Sequence, residues 1–190
     1  VLTALGFLFF SERRVGWAVI EVGLGGRLDS TNVLPQKDAA VITAIGKDHT
    51  NVLGNSLAEI AREKAGIITP HCPVFTIEQS KAVLNSFRSV GSLRASRLTM
   101  VSRADIKITR HDWTGLEFLF DGEPYRIRAV GRHQAENAAL AIAVTRSLGV
   151  SKSAIRRGLS GAEQPLRFES VSKAPRIIID GAHNSQKMGT

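Results

Sequence analysis

The sequence predicts an α/β protein built on a mostly parallel, doubly wound sheet, with a small added β region and the first strand of a further unit at its end. Three observations carry this. Up to residue 90, short apolar runs bounded by glycine or polar residues alternate with segments of helical period, the pattern of strands joined by crossover helices. Between residues 98 and 129 the helices drop out and short apolar runs follow one another. Residues 176–179 form one more apolar run, after a stretch punctuated by glycine and proline.

In chain order, residues 2–11 are apolar nearly all round, which suits a buried helix. Residues 17–22 (WAVIEV), between Gly16 and Gly23, read as a buried strand, and 23–32 (GLGGRLDSTN) as the loop after it. Residues 38–45 are a second buried strand, ended by Gly46. Residues 56–65 are a helix that opens on a capping box, Ser56 with Glu59, and stops at Gly66. Residues 73–77 are a third strand and 80–90 a further helix. The runs 98–101, 106–109, 116–120 and 125–129 are short strands, the last two joined by an Asp121-Gly122 hairpin turn. Residues 134–148 form an alanine-rich helix closed by Gly149, and 151–159 another. These boundaries divide the chain into a domain over 1–163, a linker over 164–175 and the start of a second domain over 176–190.

At 190 residues, with 43% hydrophobic and 22% charged, the chain is neither disordered nor fibrous. Lys plus Arg number 25 against 17 Asp plus Glu, a net +8. That excess points to an anionic partner: nucleic acid, an acidic membrane surface, or a phosphorylated or polycarboxylate ligand. A nucleic-acid module needs clustered basic residues interleaved with aromatics, and the sequence offers little of that: its one Tyr and two Trp are scattered. Cys72, the single cysteine, excludes an internal disulfide and a cysteine-rich zinc site and fits a reducing cytosol. The longest apolar stretch, 1–10, is too short to span a bilayer and lacks the flanks of a signal peptide. A cytoplasmic protein without a membrane partner is expected.

Polar residues collect at the ends of predicted strands: Glu21 at the first, Asp48 and His49 past the second, Asp180 and His183 past the last. In open α/β sheets ligands bind beyond the carboxyl ends of the strands, so these groups are candidates for one crevice. Glu21 interrupts an apolar strand, where an unpaired carboxylate is costly. Two readings stand for it: an ion pair with Arg27, or a ligand of a hard cation. Gly23, Gly25 and Gly26 permit tight turns and close approach to a phosphate, yet GLGGR is neither a Walker A loop nor a G-x-G-x-x-G fingerprint. Lys64 shares a helix face with Leu57, Ile60 and Ala61. A lysine there snorkels outward, the common outcome. Otherwise its amine, neutral through partial burial, takes up carbon dioxide as a carbamate, an anionic oxygen donor suited to a metal. His133 caps the helix it precedes or meets a ligand, and Asn137 caps, is solvated, or bonds an adenine edge. His71 and His111 default to the surface, and Cys72 to an inert thiol.

The same residues carry a resemblance. EVGLGGRLDSTN (21–32), DHT (48–50), EKAGII (63–68), GRHQAENAALA (131–141), RFE (167–169) and DGAHN (180–184) stand in the order and at spacings similar to those of folylpolyglutamate synthases and their dihydrofolate synthase relatives in the Mur ligase superfamily. It covers essentially the whole chain. The resemblance implies a Mur ligase central-domain fold followed by the first strand of a Rossmann-like C-terminal domain. It also implies an ATP-dependent amide ligase, in which a substrate carboxylate attacks the γ-phosphate and the amino group of L-glutamate captures the acyl phosphate. The implied substrates are a folate or dihydropteroate, L-glutamate and ATP, and the implied enzyme is a monomer.

By position, Glu21 and His49 resemble magnesium ligands, with manganese as the alternative an imidazole invites. Lys64 resembles the lysine that relatives carry as a carbamate supporting a second metal. Asn137, Arg167 and Asp180 resemble the residues that hold ATP through adenine, phosphate and ribose, and His183 one beside the γ-phosphate and glutamate. The catalytic roles would fall to Lys64 and His183. The chain departs from the pattern in reading QPL before Arg167 where a WPG-like sequence is usual, Ser185 after Asn184 where proline is usual, and Lys47 where an apolar residue is common. No G-x-x-x-x-G-K-S/T loop occurs, although the family carries a P-loop upstream of these motifs. The expectation is an internal segment, inactive as a ligase by itself. The other readings are another Mur-type amino-acid ligase and, from a different class, a basic nucleic-acid-binding module.

Overall fold

The computed structural model describes residues 1–182, with the backbone alone for Lys173 and Arg176. Its elements are α1 (Leu2–Glu12), β1 (Ala40–Ile42), α2 (Thr50–Leu53), α3 (Leu57–Ala65), β2 (Val74–Ile77), α4 (Lys81–Leu93), β3 (Leu98–Val101), β4 (Ile106–Asp112), β5 (Gly115–Phe120), β6 (Glu123–Ile127), α5 (Arg132–Ser147), α6 (Lys152–Gly161), β7 (Glu169–Lys173) and β8 (Arg176–Ile179). Compactness divides the chain into two units, residues 1–74 with 79–98, and residues 75–78 with 99 onward.

β1, β2 and β3 form a sheet in that order. The Val74 N–H donates to the Arg97 carbonyl and the Glu78 N–H to the Val101 carbonyl. Both strands advance in the same direction between these bonds, so the pair is parallel. β2 is buried along its whole length, as a strand covered on both faces should be. In the first unit Ala40, Ile42 and Val74 meet Ala61 and Ala65 of α3 and Val83, Leu84 and Phe87 of α4 in one core. Ser56 caps α3 with both halves of the capping box in place. β1 is shorter than the apolar run 38–45 predicts because Gln79 replaces the ladder beyond Ile42. Its Oε1 accepts from the Ile45 N–H (2.8 Å) and its Nε2 donates to the Thr43 carbonyl (3.0 Å).

Two expectations fail in the first unit. α1 is a helix as predicted, but none of its residues is buried. Residues 17–22 belong to no strand, and Trp17 and Val19 are 62% and 97% exposed. The physical reason is shared. An apolar run states what a segment would bury, while a strand also needs a neighbour for its N–H and C=O groups. Among the described residues none pairs with 17–22.

In the second unit β4, β5 and β6 form an antiparallel meander. Asp121 (φ +51°) and Gly122 (φ +75°) make the hairpin turn between the last two, both in the left-handed region a type I′ turn requires. Leu116, Phe118, Phe120, Tyr125 and Ile127 are buried, as are Ala135, Ala138, Ala139 and Ile142 of α5. Arg146 pins the last turn of α5 to the hairpin through Asp121 (2.7 Å) and the Tyr125 hydroxyl (2.8 Å). β7 pairs antiparallel with β8, although its residues fall within the stretch read as a linker. Gly161, Pro165 and Pro175, on which that reading leaned, lie outside 169–173 and leave it free to pair.

Candidate functional site

Loop 23–32 closes around one carboxylate. Asp29 Oδ2 accepts from the Leu24 N–H (2.9 Å), and Oδ1 from the Thr31 N–H (2.9 Å) and the Thr31 hydroxyl. The Thr31 hydroxyl, together with the backbone N–H groups of Leu24, Thr31 and Gly23, holds the Asp29 carboxyl below the usual carboxylate value. Those amides therefore point inward to Asp29. The glycines serve packing on the helices. Gly25 (φ +67°) and Gly26 (φ +157°) sit where a Cβ would lie 2.9 Å from Leu53 Cδ2 and 3.0 Å from the Glu63 and Lys64 carbonyl oxygens, respectively. The close approach that the sequence offered to a phosphate is made to α2 and the end of α3. A hollow of about 280 Å³ opens beside this loop, lined by Leu24, Asp29, Val52 and Glu63 among others.

Arg27 decides the first open question. Its N–H donates to the Glu63 carbonyl (2.9 Å), and its guanidinium lies 3.0 Å from the Glu63 carboxylate. Glu63 is the partner, and among the described residues Glu21 is left exposed without ion pair or hydrogen bond. His49 stands at the N-cap of α2 in the left-handed region (φ +51°). Its N–H donates to Asp48 Oδ1 (3.0 Å), with Nε2 3.9 Å from the same oxygen. Lys64 is half-buried in the last turn of α3, without a partner among the described residues. The helix buries Ile60, Ala61 and Ala65, so the predicted stripe does face the core.

Glu21 and His49 offer one carboxylate and one imidazole. Among the described residues no three His, Cys, Asp or Glu side chains gather into a group able to hold a metal ion. This donor set fits an ion that draws most of its shell from water and a polyphosphate, as magnesium does, and does not fit an all-protein cage.

The second unit holds the other motif residues. Asn137 is exposed in the second turn of α5 and is bonded weakly to Gln134 (3.4 Å). Asp180 orders the chain around itself: Oδ2 accepts from the Phe168 N–H (2.7 Å) and Oδ1 from the Ala182 N–H (2.6 Å). Each oxygen retains a lone pair for a further donor. The Arg167 guanidinium has no ion-pair partner among the described residues. His133 is not a cap, since Gly131 holds that position (φ +104°). The imidazole lies over Gly131, where a Cβ would be 2.7 Å from Cε1. Burial pushes the His133 pKa down, against the nearby carboxylates of Glu136 and Asp180 and with the help of Arg167. Its Nδ1 is buried without a partner among the described residues. The charges of Arg167 and Asp180 reach His133, whereas His183 lies outside the described residues. The sequence reading missed the roles of Asp29, Asn32 and Lys37; the signal for the first was the D-S-T run, which favours an Asx turn.

The fold and these motifs define a known class: the chain belongs to the Mur ligase middle-domain family, whose pattern matches residues 3–145. Within it, the chain is similar to folylpolyglutamate and dihydrofolate synthases. The dihydrofolate synthase/folylpolyglutamate synthase of Bacillus subtilis (strain 168) is 37% identical over 199 residues, covering 98% of this chain and 46% of that protein. The folylpolyglutamate synthase of Lacticaseibacillus casei is 37% identical over 200 residues, covering 96% and 45%. Among solved structures, an FPGS complex with AMPPCP and folate superposes with a TM-score of 0.89 at 31% identity, over 99% of this chain and 48% of that one. Mycobacterium tuberculosis folylpolyglutamate synthase complexed with ADP gives 0.85 at 34%, over 98% and 44%. The chain spans about half the length of the curated relatives it matches. Among the described residues no helix is long and apolar enough to cross a membrane.

Proposed function

We propose that the protein carrying this chain is an ATP-dependent ligase that adds L-glutamate to a folate, to dihydropteroate, or to both, and that this chain supplies its metal-binding and part of its nucleotide-binding surface. The observation that carries the reading is a division within the motifs. Arg27, Asp29 and Glu63 are bound to internal partners, while Glu21, Lys64 and Arg167 keep their charged ends without one among the described residues. Relatives similar to this chain are named folylpolyglutamate and dihydrofolate synthases, and a similar structure was solved with AMPPCP and folate.

In this reading the substrate carboxylate oxygen bonds to the γ-phosphorus of ATP and ADP leaves. The glutamate amine then attacks the acyl carbon, inorganic phosphate leaves, and the amine's proton passes to solvent. Magnesium, or manganese, supplies charge neutralisation at the crowded phosphate and carboxylate oxygens. Glu21 and His49 would hold it, and Lys64 as a carbamate would add an anionic oxygen. Arg167 adds positive charge for phosphate, Asn137 an amide for adenine, and Asp180 an acceptor for ribose hydroxyls.

The test is glutamate-dependent ADP release by the complete protein with a folate substrate and with dihydropteroate. Turnover is expected to be abolished by Glu21→Gln and by Lys64→Ala, and near-normal turnover in both variants would overturn the site. A carbamate on Lys64 predicts a carbonyl resonance after equilibration with ¹³C-bicarbonate that Lys64→Ala lacks.

A further inference from the structure

The last turn of a helix leaves carbonyl oxygens without helical partners. In α3 and the residues after it, two carbonyls are met from the loop and a third from Lys37, five residues beyond Asn32. Glu63 O accepts from the Arg27 N–H (2.9 Å), Gly66 O from Asn32 Nδ2 (3.0 Å), and Ile67 O from Lys37 Nζ (3.0 Å). Asn32 joins the three. Its Nδ2 also donates to Arg27 O (3.2 Å), and its Oδ1 accepts from Lys37 Nζ (2.8 Å). We propose that Asn32, held in orientation by Lys37, is the positioning residue that locks loop 26–32 onto the turn of α3 that carries Lys64.

An asparagine amide has nearly the same shape either way round, so its neighbours choose its orientation. Here they choose firmly. An ammonium only donates, and it faces the oxygen; two carbonyls only accept, and they face the nitrogen. Turning the amide over would set nitrogen against ammonium and oxygen against carbonyls. Lys37 is half-buried for this purpose, and burial pushes its pKa down. Residue 64 lies between Glu63 and Gly66, the two residues gripped from the loop, so the direction in which Lys64 leaves the backbone follows the grip. Neither Asn32 nor Lys37 is assigned a contact with substrate. Their catalytic consequence rests on the ligase reading, whereas the grip itself does not.

The test joins two measurements. In the complete protein, hydrogen exchange at the Arg27 amide reports the grip. Asn32→Ala and Lys37→Met are each expected to speed it about tenfold, the worth of one hydrogen bond, with α5 amides unchanged; Lys37→Arg should restore most of the protection. In the complete protein the same variants should lower kcat about tenfold and leave KM for ATP within about twofold, because Lys64 is displaced while nucleotide contacts persist. The double variant should lose little more than the worse single one, since both act through one amide. Unchanged Arg27 exchange in Lys37→Met, or fully additive losses, would overturn the orienting role. A loosened loop with unchanged kcat would overturn the positioning role. If Asn32→Ala fails to fold, Lys37→Met, which leaves the amide in place, decides. If the wild-type protein shows no glutamate-dependent ADP release, the ligase reading fails and the grip is judged by exchange alone.

Discussion

Gly66→Ala sets two effects of opposite sign against each other at the seat of loop 23–32. Gly66 has φ −59° and ψ −13°, a conformation alanine adopts without strain. By backbone entropy alone the change would therefore stabilise by about 0.4–1 kcal/mol. Space argues the other way. A Cβ at Gly66 would lie 2.4 Å from Arg27 Cβ, 2.5 Å from its Cα and 2.9 Å from its N, where relaxed carbon contacts need about 3.5–4.0 Å. Two of these atoms are backbone and cannot rotate away, so the loop must retreat by about 1 Å. Overpacking of this kind costs about 1–3 kcal/mol. The retreat also lengthens Arg27 N–H to Glu63 O and Asn32 Nδ2 to Gly66 O, worth about 1 kcal/mol each. After the entropic gain, a net loss of about 2–4 kcal/mol remains. For a chain of this size that is a fall in Tm of about 5–15 °C. Thermal unfolding followed by far-UV circular dichroism reads it. Gly158→Ala in α6, where a Cβ meets nothing within 4 Å, is the control, with an expected gain of up to about 1 kcal/mol. If Gly66→Ala melts at or above wild type, the loop is not seated on this turn.

Two further outcomes follow from the same region. Because Asp29 is held below its unfolded value of 3.8, its contribution is fully present above that value and is lost as pH falls through the folded one. Exchange protection at the Leu24 and Thr31 amides should therefore fade on acidification below about pH 4, and Asp29→Asn should lack that acid limb; an identical acid profile in both proteins would refute the assignment. Ser56→Ala removes the acceptor of the Glu59 N–H (3.2 Å) and should cost about 1 kcal/mol, read as a lower urea midpoint at unchanged slope. An unmoved midpoint would mean the box does not hold α3.

What was legible in the sequence was local or covalently periodic. The capping box of α3, the Asp121-Gly122 turn and the strand of residues 98–101 appear where spacing and turn chemistry put them. The failures concern burial by partners. α1 and residues 17–22 have core-like composition, yet none of their residues is buried. No window of sequence records whether a neighbour is present to cover an apolar segment. β7 was not legible for the opposite reason, because E-S-V-S-K carries no apolar run and is a strand only through its pairing with β8. At the site, residue types were readable and pairings were not. Glu21 was the acid that the sequence offered Arg27, and the fold instead closes the 36-residue separation to Glu63.

The pairings sort one continuous motif into two kinds of residue. A side chain that holds a fold together is used up: Asp29 spends both oxygens on its own loop, and Asn32 spends both ends of its amide on Arg27, Gly66 and Lys37. A side chain that binds an external charge must keep its own unmet, at a desolvation cost the protein limits by leaving it partly in water. Glu21 is exposed and Lys64 half-buried, each without a partner among the described residues. The two kinds interleave along residues 21–32 and 63–66, so the residues that would act sit within a few positions of those that hold. Substitutions at holding residues should therefore look catalytic in a turnover assay, and exchange at the Arg27 amide separates them: Asn32→Ala moves it, whereas Glu21→Gln should not. If Glu21→Gln loosened that amide as much as Asn32→Ala does, Glu21 would be a structural residue, and the division between holding and acting groups would fail at its first member.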